Sequence, residues 1–201
     1  RMAGNSAIRI LQAQDYRRMP WKNGGGETVE IAVFPASAGL EDFVWRISMA
    51  TVAANGPFSS FSGIDRTLSI LQGAGMMLTI GDDGPVALTP ATPPFAFPAD
   101  VPTSAILLDG AITDLNVMTR RGTCDHSVIR HEFSGKCQLE TVASGIRILL
   151  CQSPVTIACS ESGNYVMEAY DALISDEESL PMVIKGNDLS VVYEIVLTPQ
   201  D

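Results

Sequence analysis

The sequence predicts an all-β protein made of two antiparallel barrels, each a jelly roll. Three observations carry that prediction. Apolar residues recur with period two in several segments, and 12 prolines and 17 glycines punctuate the chain at short intervals. No stretch longer than two turns shows the i, i+3, i+4, i+7 spacing of an amphipathic helix. Closing or doubling the sheets would remove their exposed edges, which is what a jelly roll does.

The elements follow in order. MPWKNGGGETVEI, Met19 to Ile31, is the most unusual segment. Three consecutive glycines are costly to order, so they imply positive φ, a close backbone approach, or N–H groups aimed at an anion. A tight turn with Trp21 packed over the barrel is the plain alternative. Their spacing is not that of a P-loop or a dinucleotide fingerprint. In the strand that follows, Val29, Ile31 and Val33 share one face, and Glu30 and Ala32 the other. In FVWRISMA, Phe43, Trp45, Ile47 and Met49 alternate with Val44, Arg46, Ser48 and Ala50. NGPFSSFSGIDR reads as a polar loop in which Phe58 and Phe61 plug the barrel mouth, ending in Asp65 and Arg66 on opposite strand faces.

RTLSILQGAGMMLTIGDDG reads as strand, turn and strand, followed by the Pro-rich ATPPFAFPAD. TDLNVMTRRG is the second unusual run: Asp114, Asn116, Met118 and Arg120 share a face, with Leu115 and Val117 on the other. A buried row of Asp, Asn and Arg must be paired or bind something. SGIRILLCQSPVTIACSESG and YVMEAYDALISDEES then repeat the earlier shape in pattern, hardly in identity. The boundary is expected near Arg121 to His131, with an N-terminal barrel over residues 1–122 and a C-terminal barrel over 123–201, between which strands can be exchanged.

Composition removes several functions. Thirteen Lys+Arg against 23 Asp+Glu give a formal charge of −10, which disfavours nucleic acid and anionic membrane surfaces as partners. No apolar run nears the roughly 18 residues that span a bilayer, and the N-terminal stretch lacks a secretory pattern, so a cytoplasmic protein is expected. Cys124, Cys137, Cys151 and Cys159 contain no C-x-x-C pair and read as free thiols. The two histidines, His126 and His131, both fall in the expected connector, so a histidine metal site in the first barrel is ruled out and no cofactor is expected.

MPWKNGGGETVE, FVWRISMATV, GPFSSFSGIDR and DLNVMTRRG, in this order, resemble the HutD/Ves family. The resemblance covers much of Met19 to Gly122 and is weaker beyond it. It implies a bicupin, two RmlC-like jelly-roll barrels in one chain. It also implies, for the HutD branch, a regulatory or metabolite-sensing part in histidine utilisation. Carried over position by position, it points to Trp21, Lys22, Asn23, Arg46, Ser48, Phe58, Asp65, Arg66, Asn116, Arg120 and Arg121 as the residues nearest a pocket.

That inventory suits a small carboxylated metabolite, with Arg120 as the expected anchor and Arg46 and Asn116 beside it. Urocanate and formylglutamate are the candidates the resemblance suggests, and a homodimer is the assembly considered. Catalysis is less expected than binding. Metal-free isomerases and epimerases of cupin fold usually shuttle protons through a His, and nearby arginines should hold Asp65 or Asp114 down. A structural or partner-binding bicupin without ligand is the third reading.

Overall fold

A computed structural model describes residues 8–160, 162–176 and 181–201. Among them the chain forms strands β1 (Ile8–Leu11), β2 (Arg17–Pro20), β3 (Gly26–Phe34), β4 (Trp45–Val52), β5 (Gly56–Pro57), β6 (Ile64–Gln72), β7 (Met76–Ile80) and β8 (Val86–Leu88). These are followed by β9 (Phe95–Pro98), β10 (Thr103–Leu107), β11 (Ile112–Arg120), β12 (Cys124–Leu139), β13 (Ile146–Cys151), β14 (Val155–Cys159), β15 (Gly163–Met167), β16 (Ala172–Ser175) and β17 (Met182–Pro199). The described helix is a single 3-10 turn, Ala13–Asp15, and among the described residues no helix is long and apolar enough to cross a membrane. The all-β prediction holds, because period-two patterning leaves nothing for a helix to bury.

Two compact units divide the chain, one over residues 17–125 with 200–201, the other over 8–16 with 126–199. Residues 8–16 belong with the second unit. The reason is pairing: β1 runs antiparallel to β16, Ile8 opposite Ser175 through Leu11 opposite Ala172. A four-residue strand carries no sequence signal that names its partner.

In the first unit a six-stranded sheet, β2-β3-β4-β11-β6-β9, and a four-stranded sheet, β5-β10-β7-β8, enclose an apolar core. Leu68 and Ile70 of β6 meet Met76 and Leu78 of β7 and Ala105 of β10 there. The second unit is a seven-stranded sheet, β1-β16-β13-β17-β14-β15 with β12 added beside β17, around Leu149, Ile157, Leu173 and Val192.

Two local departures from strict alternation matter for the site. The β3–β4 register shifts between Glu30 and Ala32, so Ile31 is the extra residue of a bulge. Val33 thereby changes sides: it packs with Phe43, Ile64 and Met118, although the alternation had placed it with Val29. Phe43 likewise precedes β4, which begins at Trp45, and so escapes the parity that grouped it with Trp45 and Ile47.

Candidate functional site

The interior face of the six-stranded sheet is set by β11, the strand between β4 and β6. Met118 stands opposite Arg46 and Arg66, Asn116 opposite Ser48 and Leu68, and Asp114 opposite Ala50 and Ile70. Because Ala50, Leu68 and Ile70 belong to the enclosed core, this face points inward. The parity predicted for Asp114 and Asn116 is therefore right, and so is its direction. Leu115 and Val117, on the opposite face, are fully buried as well.

A line of polar side chains runs down this otherwise apolar interior. Arg46 Nε donates to Glu30 Oε1 at 3.0 Å. Asn116 Nδ2 donates to Asp114 Oδ1 at 2.7 Å. Arg66, only 5% exposed, makes no such pairing. Its Nη2 lies 3.5 Å from Met118 Sδ, a weak acceptor, and its guanidinium carbon sits 5.8, 5.1 and 5.8 Å from the ring centres of Phe58, Phe61 and Phe97. Rings at these distances attract a cation without using its N–H groups. Accordingly Arg66 Nε is buried and has no hydrogen-bond partner among the described residues, and the same holds for Asp114 Oδ2.

Burial governs the electrostatics here. Desolvation pulls the Arg66 guanidinium down to about 10, against the support of Asp114. Desolvation likewise pushes the Asp114 carboxyl up to about 7, although Arg66, Asn116 and the Ala50 backbone favour its charged form. The expectation that arginines hold Asp114 low is thus corrected: a charge taken wholly out of water loses more than one non-contacting arginine returns.

The structure gathers Trp21, Arg46, Ser48, Phe58, Arg66 and Asn116 on or against this interior. Trp21 packs on the core, its Nε1 donating to Thr28 Oγ1 at 2.8 Å. The glycine run serves that packing. A Cβ on Gly26 would run into Thr51 O and the Trp21 ring, while Gly24 takes φ +75°. The N–H groups of Gly24 and Gly25 go to Trp21 O and Asn23 Oδ1, so they close a turn and do not present an anion nest. Lys22 and Asn23 lie exposed in that turn, away from the interior.

Asp65, Arg120 and Arg121 are also elsewhere. Arg120 Nε and Nη2 donate to the carbonyls of Phe43 and Glu41 at 3.0 and 3.2 Å, so the expected anchor is a tie for the loop before β4. It is the last residue of β11, where the side chain can leave the barrel row for the adjacent loop. Arg121 forms a surface network with Asp65 at 2.8 Å and Asp100 at 3.1 Å. Conversely, Glu30, Asp114, Phe61 and Phe97 complete the site and were absent from the predicted set. Asp114 had the right parity and Phe61 the expected place at the barrel mouth; Glu30 and Phe97 carry no sequence signal of their position.

The second unit has its own buried ion cluster, already closed. Arg147 Nε donates to Glu194 Oε2 at 3.0 Å and its Nη2 to Glu140 O, while His131 Nε2 lies 3.0 Å from Glu194 Oε1. Hydrogen bonding from His131, followed by the charges of Arg147 and His131, holds the Glu194 carboxyl below the usual range despite burial. His131 is part of the long strand β12 and not of a connector, which corrects the sequence placement of both histidines.

The HutD family model matches residues 13–191. The chain belongs to the HutD family. A 21.2 kDa protein of Pseudomonas putida in the hutC 3′ region is 34% identical over 183 residues, 90% of this chain and 94% of that protein. Protein Ves of Citrobacter koseri is 42% identical over 121 residues, 57% of this chain and 60% of its own length. Among solved structures, HutD from Pseudomonas fluorescens SBW25 (formate condition) superposes with a TM-score of 0.81 at 31% identity, covering 96% of this chain and 100% of that one. Escherichia coli YhhW, at 12% identity and TM-score 0.70 over 96% and 98% of the two chains, shares the fold alone, which is that of the cupins.

Proposed function

We propose that the first unit of this HutD family member binds a small carboxylate metabolite inside its barrel, and that binding serves regulation in histidine utilisation and not catalysis. The observation that carries this reading is Arg66: a buried guanidinium caged by three phenylalanines, with Nε unmatched. Arginine presents planar donors suited to a carboxylate, and aromatic caging orients them without consuming them. A HutD relative from a formate condition makes formate, the smallest carboxylate, a natural first probe.

Calorimetry with formate, urocanate and formylglutamate tests the reading on wild type, Arg66→Met and Arg66→Lys. Wild type should bind at least one of them. Arg66→Met should lose roughly ten- to a hundredfold in affinity, the loss of about 1.5–3 kcal/mol typical of a charge-assisted partner. Arg66→Lys should recover part, since it keeps the charge without the fork. No binding of any carboxylate at millimolar concentration would favour a structural or partner-binding protein. Turnover of one would favour a metal-independent enzyme, for which Asp114, pushed up to about 7, has the acidity a general acid or base needs.

A further inference from the structure

We propose that the ligand of this site carries, besides its carboxylate, an N–H or O–H donor, and that Asp114 selects for it by accepting that donor on Oδ2. The inference rests on the carboxylate reading above and adds the second half of the ligand. Two buried polar atoms on the interior face have no partner among the described residues, Arg66 Nε and Asp114 Oδ2. One is a donor and the other an acceptor, so a bare carboxylate satisfies only the first. Asp114 Oδ1 is already taken by Asn116, which holds the carboxyl in place and leaves Oδ2 as the free edge.

The register sets the scale. Arg66 pairs with Met118 and Asp114 with Ile70, with the Asn116–Leu68 pair between them. Each same-face step along a strand is roughly 6.6 Å, so a ligand reaching both groups separates its carboxylate from its donor by several bonds. Among the other charged groups on this face, Arg46 and Arg66 carry no acceptor, and Glu30 already receives Arg46 Nε on Oε1. A buried acceptor left unpaired is penalised, so a ligand lacking the donor should bind more weakly even when its shape is unchanged.

The test compares glutaramate with 5-oxohexanoate by calorimetry at pH 8.5. The two have the same length and shape and differ in a terminal amide NH2 against a methyl. Wild type should bind glutaramate about tenfold more tightly, the worth of one buried hydrogen bond. In Asp114→Asn the amide oxygen can keep the bond from Asn116, which turns its NH2 to the free edge, and the preference should vanish or invert. Equal affinities in wild type would overturn the donor inference while leaving the carboxylate reading intact. Failure of both probes, alongside failure of formate, would overturn both. The wild-type comparison decides the matter even if Asp114→Asn does not fold.

Discussion

Asp114 and Arg66 attract each other within the first barrel without forming an ion pair. Each supports the charge of the other, yet each keeps one buried polar atom unpartnered. The contrast is with Arg147 and Glu194 in the second unit, which meet at 3.0 Å and are further tied by His131 and the Glu140 carbonyl. The second cluster has the geometry of a strut. The first leaves Arg66 Nε and Asp114 Oδ2 without a partner among the described residues.

The Asp114 carboxyl makes stability depend on pH in a defined direction. Its folded value, pushed up to about 7 by burial, exceeds the unfolded value of about 4. Between those values the native state holds a proton that the unfolded chain has released, so raising the pH through this window destabilises the fold. The melting temperature of wild type relative to Asp114→Asn should therefore fall from pH 4 to pH 7 and level off above it. A flat or rising difference would show that Asp114 is not shifted upward.

Arg46 and Glu30 form a pair largely shielded from water, and breaking it from one side should be worse than removing it whole. Glu30→Gln or Arg46→Met should cost about 3 kcal/mol in urea denaturation, because the remaining charge stays buried. Arg46→Met combined with Glu30→Leu should recover more than half of that. Additive single losses would mean the two charges act independently.

Arg120→Ala should act on the loop before β4 and not on ligand affinity. Losing the bonds to Phe43 O and Glu41 O should cost about 1–3 kcal/mol of stability and speed proteolysis near residues 35–43. Carboxylate affinity should change by no more than about twofold, as for an independent site. A loss matching that of Arg66→Met would restore Arg120 as the anchor.

Gly26→Ala should dislodge Trp21, since the added methyl meets the indole ring and the Thr51 carbonyl together. Tryptophan emission should shift to the red and the melting temperature should drop by several degrees, because neither obstacle is the free end of a flexible chain. Unchanged emission would place Trp21 elsewhere.

Much of this was legible beforehand. The period-two runs named β3, β4 and β11, and the parity of TDLNVMTRRG put Asp114, Asn116 and Met118 together. Alternation is a local property of extended backbone, so it survives in any strand whatever its neighbours. It failed where one residue was added or the strand stopped. The bulge at Ile31 turned Val33 over, and Phe43 and Arg120 stand at strand ends where the period no longer binds.

What the sequence by itself determined was the all-β class and the face shared by the polar residues of β11. Tertiary structure alone decided which arginine is free. Arg46, Arg66, Arg120 and Arg121 are chemically identical, and three of them are used up by Glu30, by loop carbonyls and by surface carboxylates that lie far from them along the chain or across the barrel. Arg66 is left over because the groups brought to it are aromatic rings, which hold a cation but accept little from its N–H groups. The same closure removed water from around Asp114, and desolvation depends on everything that packs around a group, which no local pattern records.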